Sequence, residues 1–280
     1  MAGILSNTGA SGNGPLGLGI LPKIQARIQA ITHPTPPGPK IVSHTMQFNS
    51  NLVFTGSYTF PPIKAVAGGS VYVLVQYFPG QKITDNMGNT YNGLLTTAKI
   101  VKTSSGIEII YTPSSKGRGY DVLSYSVHFQ LCIADNVSVP SSGQLALTLT
   151  MPSASMEVIG LGFAIIALSG TANPSFDALG DELAETGPTA SASVSTSAAN
   201  DLVLAFFLTQ GTAPAISGGT LLDAYYDSKY GLTISDAYAI GSSSGTATIS
   251  AAVQNPSTGG TMNGYWDAQA ISIKAATSGG

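Results

Sequence analysis

Leu145-Ala-Leu-Thr-Leu-Thr150 sets an apolar side chain at every second position. That is the period of a strand with one face buried and the other in solvent. Other runs do not alternate. Residues 158–168 (VIGLGFAIIAL) are apolar on both faces, as a central strand is. The run is only eleven residues long, whereas a bilayer span needs about 20. Residues 71–77, 107–111, 124–134, 201–208, 220–226, 232–240, 245–253 and 266–274 read as further strands. They are rich in β-branched and aromatic residues, and Gly, Pro, Asn and Ser punctuate them. Charged residues make up 9% of the chain and apolar ones 43%, against about 25% charged in an ordinary domain. Exposed helix faces need charge, whereas strands with Ser/Thr outer faces do not. The expected class is all-β.

The two sets of strands match in order. Residues 71–77 pair with 202–208, 128–134 with 236–241, 145–150 with 247–252, and 163–170 with 268–275. This pattern predicts an internal duplication, folded as two jelly-roll-like sandwiches or as one large sandwich of about 14–16 strands. Between the halves, 173–200 reads as a linker with at most one helical turn near 176–183. The expected organisation is an arm over 1–40, a first sandwich over 41–172, the linker, and a second sandwich over 201–280.

The arm has three parts. Residues 1–20 are low in complexity and expected to be flexible. Leu21, Ile24, Ile28 and Ile31 share one helical face, with Pro22 suited to the first turn. His33-Pro-Thr-Pro-Pro-Gly-Pro39 is a stiff spacer. The helix either folds back on its own body or anchors the chain in a partner or a neighbouring copy. The start of the chain shows no basic segment followed by an apolar one, so no secretory signal is expected.

Charge is unevenly placed. Nine of the 11 Lys and Arg precede residue 121, but only two of the 14 acids do. The two poles are either sheet-surface decoration or a means for copies to meet electrostatically. The basic residues do not cluster, so nucleic acid is not an expected partner, nor is a membrane.

Chemistry is sparse. One cysteine, Cys132, precludes an internal disulfide and a multi-cysteine zinc site, and it reads as a buried small hydrophobe. Asp85-Asn-Met-Gly-Asn89 lacks the alternate acids and closing Glu of a calcium loop and reads as a tight turn. Asp181, Glu182 and Glu185 form an acid cluster that reads as a solvated turn. A glycosidase pair with Asp223 or Asp227 is the sharper alternative and needs carboxylates about 5–9 Å apart. His128 has no nucleophile elbow to serve: Gly241-Ser-Ser-Ser-Gly245 has the spacing but no helix follows. No catalytic residue, cofactor or metal ligand is expected. Tyr225, Tyr226, Tyr230, Tyr238, Tyr265 and Trp266 enrich the second half in aromatics. They are either edge and core packing or a surface that stacks sugars or forms an interface.

The segments Ile83-Thr-Asp-Asn-Met-Gly-Asn-Thr-Tyr91, Ser142-Gly-Gln-Leu-Ala-Leu-Thr-Leu-Thr-Met151, Ala167-Leu-Ser-Gly170-Thr-Ala-Asn-Pro174 and Ala198-Ala-Asn-Asp-Leu-Val-Leu-Ala205, with the closing run 266–276, resemble a tandem β-sandwich module. That module occurs in phage virion structural proteins and bacterial secreted surface proteins. The resemblance covers about residues 50–276 and carries fold more than role. It implies a non-enzymatic virion protein, assembled in a host cytoplasm: a capsid decoration or cement protein, a head fibre, or a collar or tail component. Leu21, Ile24, Ile28 and Ile31 would be its anchor. Its partners would be other virion proteins and copies of itself, a trimer among the options. The alternative is a carbohydrate-binding or adhesive module for host attachment, using Tyr225, Tyr226, Tyr230 and Trp266.

Overall fold

The computed structural model describes residues 38–77, 82–103, 106–111, 126–150, 157–180, 183–212, 214–228 and 231–277. A compact unit runs from Pro37 to Ala276, and among the described residues there is no helix. The first half holds β1 (Lys40–Thr55), β2 (Ser57–Thr59), β3 (Ile63–Lys64), β4 (Ser70–Tyr77), β5 (Lys82–Asp85), β6 (Asn92–Thr103), β7 (Gly106–Tyr111), β8 (Ser126–Ala134), β9 (Gln144–Leu145), β10 (Leu147–Thr150) and β11 (Glu157–Ser169). The second half holds β12 (Thr171–Leu179), β13 (Leu183–Gly187), β14 (Thr189–Thr196), β15 (Leu202–Gln210), β16 (Ile216–Ser217), β17 (Thr220–Asp227), β18 (Leu232–Ile240), β19 (Gly245–Ala252) and β20 (Gly264–Ala275).

In the first half a broad sheet runs β1-β11-β4-β8-β6-β7, a small sheet runs β2-β10-β5, and β3 pairs with β9. In the second half the broad sheet runs β12-β20-β15-β18-β17, with β13 also on β20, and the small sheet runs β14-β19-β16. Five strands follow the same order in the two broad sheets, β1-β11-β4-β8-β6 and β12-β20-β15-β18-β17, and three in the small sheets, whereas β7, β13 and the β3–β9 pair have no counterpart. The pairings are antiparallel.

Side-chain alternation explains how the sheets stack. Val71 and Val73 on β4 point to a core shared with Leu145 of β9 and with Leu147 and Leu149 of the small sheet. Tyr72, between them, points the other way and joins Ile166 and Leu168 in a cluster with Leu202, Leu204, Ile271 and Ile273 of the second half. Val203, Ala205 and Phe207 face the second half's own core. The broad sheets therefore lie against each other, and each carries a small sheet on its far side. The inner strands β4, β11, β15 and β20 are buried on both faces and read as apolar runs. Strands of the small sheets have one wet face, so β10, β14 and β19 alternate.

Two expectations about organisation are corrected. Residues 173–200 are not a linker and hold no helical turn among the described residues: β12 and β13 border β20, and β14 borders β19. The boundary between halves is a single residue, Gly170, whose φ of 69° is the left-handed turn that glycine adopts without a steric penalty. The segment 1–37, with Leu21, Ile24, Ile28 and Ile31, lies outside the described residues.

The match between 71–77 and 202–208 is also one residue out of phase. Val71 pairs with Ala167, and Val203 pairs with Ser272. Val71 and Val203 each face their own core, whereas Leu202 faces the other half. A one-residue slip exchanges the two faces of a strand.

Candidate functional site

Buried polar groups collect where the two broad sheets meet. Side-chain alternation on β4 and β12 brings one network together at the joint between halves. Ser70 Oγ donates to Asp135 Oδ1 at 2.8 Å, and Ser175 Oγ donates to the same oxygen. Those hydroxyl hydrogens being committed, Tyr72 OH donates to Ser175 Oγ at 2.7 Å, and Thr171 Oγ1 donates to Ser70 Oγ at 2.8 Å. Burial pushes the Tyr72 phenol well above its ordinary range, Ser175 pulls it back, and the Asp135 charge adds to the rise. Tyr72 is fixed as a neutral donor. Two residues of β4 and two of β12 thus share one carboxylate across the two halves.

A second contact lies elsewhere on the same interface. His44 of β1 stands opposite Ile166 of β11, so its ring faces the second half. Its Nε2 lies 2.7 Å from Asp236 Oδ2 on β18. The His44 side chain is 11% exposed and that of Asp236 0%. Asp236 Oδ1 has no hydrogen-bond partner, and Asp223 of β17 stands across from Asp236 in the ladder. Burial raises the Asp236 carboxyl above its ordinary value. The hydrogen bond and charge of His44 oppose the rise, the charge of Asp223 adds to it, and a backbone hydrogen bond from Asp223 opposes it.

Among the described residues, several acids of the acidic pole are structural. Asp201, Asp236 and Asp267 are buried. Asp201 accepts from Ala198 N at 2.8 Å, Ser197 Oγ at 3.2 Å and Ala275 N at 3.1 Å, tying the end of β20 to the start of β15. Burial alone would raise the Asp177 carboxyl. Hydrogen bonds from Ser197 and the nearby Lys274 hold it below its usual range instead, with Lys274 Nζ at 3.5 Å. The expectation of an acidic surface able to steer other copies does not hold for these residues.

The turn at 85–89 is a turn. Asp85 Oδ1 accepts from Met87 N at 2.9 Å and Asn89 N at 3.1 Å, and Oδ2 accepts from Asn89 Nδ2 at 2.7 Å and Tyr91 OH at 2.8 Å. Both carboxylate oxygens are engaged by protein donors, leaving them poor ligands for a cation. Among the described residues no group of His, Cys, Asp and Glu is placed to hold a metal.

The aromatic candidates divide. Trp266 is 5% exposed and belongs to the second core, so it is corrected from a surface aromatic to a core one. Its place in the alternation of β20, with Ala268 and Ala270, turns it inward. Tyr226 is half-buried, and Tyr225 is 39% exposed on β17, which ends its sheet. Tyr238 packs against the cluster between the halves. Glu185 is exposed on β13. Tyr230, Asp181 and Glu182 lie outside the described residues. Cys132 is buried in the first core, and burial pushes its thiol up to about 11. Sequence reasoning passed over His44 and Asp236, which are 192 residues apart.

No family model, curated protein or solved structure matches this chain.

Proposed function

We propose that the chain is a non-enzymatic structural protein of a phage particle, a decoration, cement, head-fibre or collar or tail component. Its arm, through Leu21, Ile24, Ile28 and Ile31, grips a shell or a neighbouring copy, and its body is displayed. Its partners are copies of itself, a trimer among the options, and other virion proteins, assembled in the host cytoplasm. The body is read as two jelly-roll-like sandwiches from an internal duplication. The shared strand order supports that reading. So does a left-handed residue two places before β4 and again before β15, Gly68 at φ 78° and Asn200 at φ 69°.

The observation that carries the role is the outward chemistry of the small sheets. Ser191 faces Ser250 at 2.9 Å and Ser193 faces Thr248 at 2.7 Å. Ser57 and Thr150, and Thr59 and Thr148, do the same at 3.5 Å. These cross-strand hydroxyl pairs make a neutral face that satisfies itself, suited to a body that is displayed. Light scattering on the full chain and on one beginning at Pro37, the first residue of the compact unit, tests the reading. Assembly of the full chain with a folded monomer from the shorter one supports it. Assembly that survives the truncation removes the arm from the role.

One observation favours the carbohydrate-binding alternative: Tyr225 and Leu221 are each 39% exposed on the edge strand β17. A glycan array with Tyr225→Ala as control checks it. Binding lost in the variant supports adhesion, and no binding by the wild type to any glycan ends that reading.

A further inference from the structure

The contact between His44 and Asp236 joins the outermost edge of one broad sheet to the interior of the other. Chain connectivity does not enforce it, and nine apolar side chains already hold the interface together. A hydrogen must lie between Nε2 and Oδ2, because two lone pairs 2.7 Å apart repel. The pair then has two protonation states that keep this bond. In one it carries one further proton and is net neutral, as imidazolium with carboxylate or as imidazole with carboxylic acid. In the other that proton is gone, and a net negative charge remains on a carboxyl group that is fully buried.

The second state is costly here for three reasons. Asp236 Oδ1 has no donor. Asp223 stands opposite with a like charge. A buried net charge that no cation balances is disfavoured in a low-dielectric interior. The remaining titratable groups that the described strands turn toward this side are Tyr225 of β17, Tyr238 of β18, Asp267 of β20 and Tyr72 of β4. Asp267 is separated from Asp236 by the intervening strand β15, where it pairs with Leu208 and Asp236 pairs with Phe206. On β11 the residue facing His44 is Ile166. None of these supplies a cation. The partly exposed imidazole gives the proton a path to solvent.

We propose that His44 and Asp236 form a proton-keyed latch between the two sandwiches: the net-neutral pair holds the broad sheets together, and release of one proton to solvent as pH rises loosens them. Burial raises the Asp236 carboxyl from its ordinary value of 3.8, consistent with a folded state that holds this proton more tightly than the unfolded chain does. In the unfolded chain the same net-neutral count is kept by an ionised carboxyl and a protonated imidazole up to about 6.5, so the stabilisation is lost as pH climbs from there through the value of the folded pair.

The test is urea unfolding of the full chain across a pH series, followed by the fluorescence of Trp266 in the second core and thiol labelling of Cys132 in the first. The wild-type midpoint is expected to fall with rising pH above the ordinary imidazole value, about 6.5. Asp236→Asn keeps a donor toward His44 Nε2 and removes the charge, so it should flatten that fall. His44→Gln keeps a donor toward Asp236 but cannot hold the further proton. At neutral pH its midpoint should drop to the level that the wild type reaches only at higher pH. Asp177→Asn, at a carboxylate paired with Lys274, should leave the fall in place. The proposal is overturned if Asp236→Asn keeps the wild-type slope, or if His44→Gln matches the wild type at every pH. If Asp236→Asn does not fold, the His44→Gln profile decides alone.

Discussion

The two halves share the order of five broad-sheet strands and have two different interiors. The first core is filled with large side chains. Phe60 and Phe163 meet edge to face with ring centroids 4.7 Å apart, Tyr58 packs on both, and Leu145 from β9 and Leu147 and Leu149 from the small sheet project into it. The second core is mostly alanine, with Ala190, Ala192 and Ala251 on the small sheet facing Ala205, Ala237, Ala268 and Ala270 on the broad one. Small side chains let the backbones approach. A Cβ added at Gly180, just past β12, would lie 2.0 Å from the carbonyl oxygen of Ser193 on β14. Topology therefore does not dictate core volume: one interior is held by bulk and the other by closeness. The first should suffer most from truncation and the second from enlargement.

Each core contains a natural reporter, the chain's one cysteine in the first and its one tryptophan in the second. The largest effect is expected from Phe163→Ala, about 3–5 kcal/mol of lost stability. The Cys132 thiol, pushed up to about 11 and shielded, reacts slowly at pH 8 until the first core opens. Labelling in urea therefore reads that loss, and a cost under about 1 kcal/mol would show a core that collapses around the gap. Next is Ala268→Leu, which should cost about 1–3 kcal/mol by overpacking. Trp266 fluorescence follows it, and an unchanged midpoint would reveal spare volume and end the contrast between the cores. Tyr72→Phe removes the donor to Ser175 across the halves and should cost about 1 kcal/mol. Because that hydroxyl ties β4 to β12, both reporters should move together, whereas a shift in the Cys132 signal alone would make the network local to the first half. The smallest change is expected from Ser193→Ala on the outer face, within about 0.5 kcal/mol. A larger thermal shift would mean that the hydroxyl pair with Thr248 contributes more than a solvated surface pair does.

Much of the layering was legible in the chain. Strict alternation marked β10 as a strand with one wet face, and the long apolar run marked β11 as central. β14 escaped because its inward residues are Ala190, Ala192 and Val194 between serines, too small to register as an apolar stripe. β12 escaped because it contains Asn173-Pro174, a breaker signal that an edge strand tolerates, and β12 is an edge. The one-residue slip in the internal match arose where both faces are apolar, since alternation then holds no phase.

The sequence by itself determined that this chain makes strands, and which strands lie in the middle, because burial on one or both faces writes a local pattern of period 2. The tertiary structure alone decided what the second faces of the broad sheets cover, that Trp266 turns inward while Tyr225 stays at an edge, and that His44 meets Asp236. Those outcomes depend on how two sheets come together in space, and residues 192 positions apart leave no local pattern of their meeting.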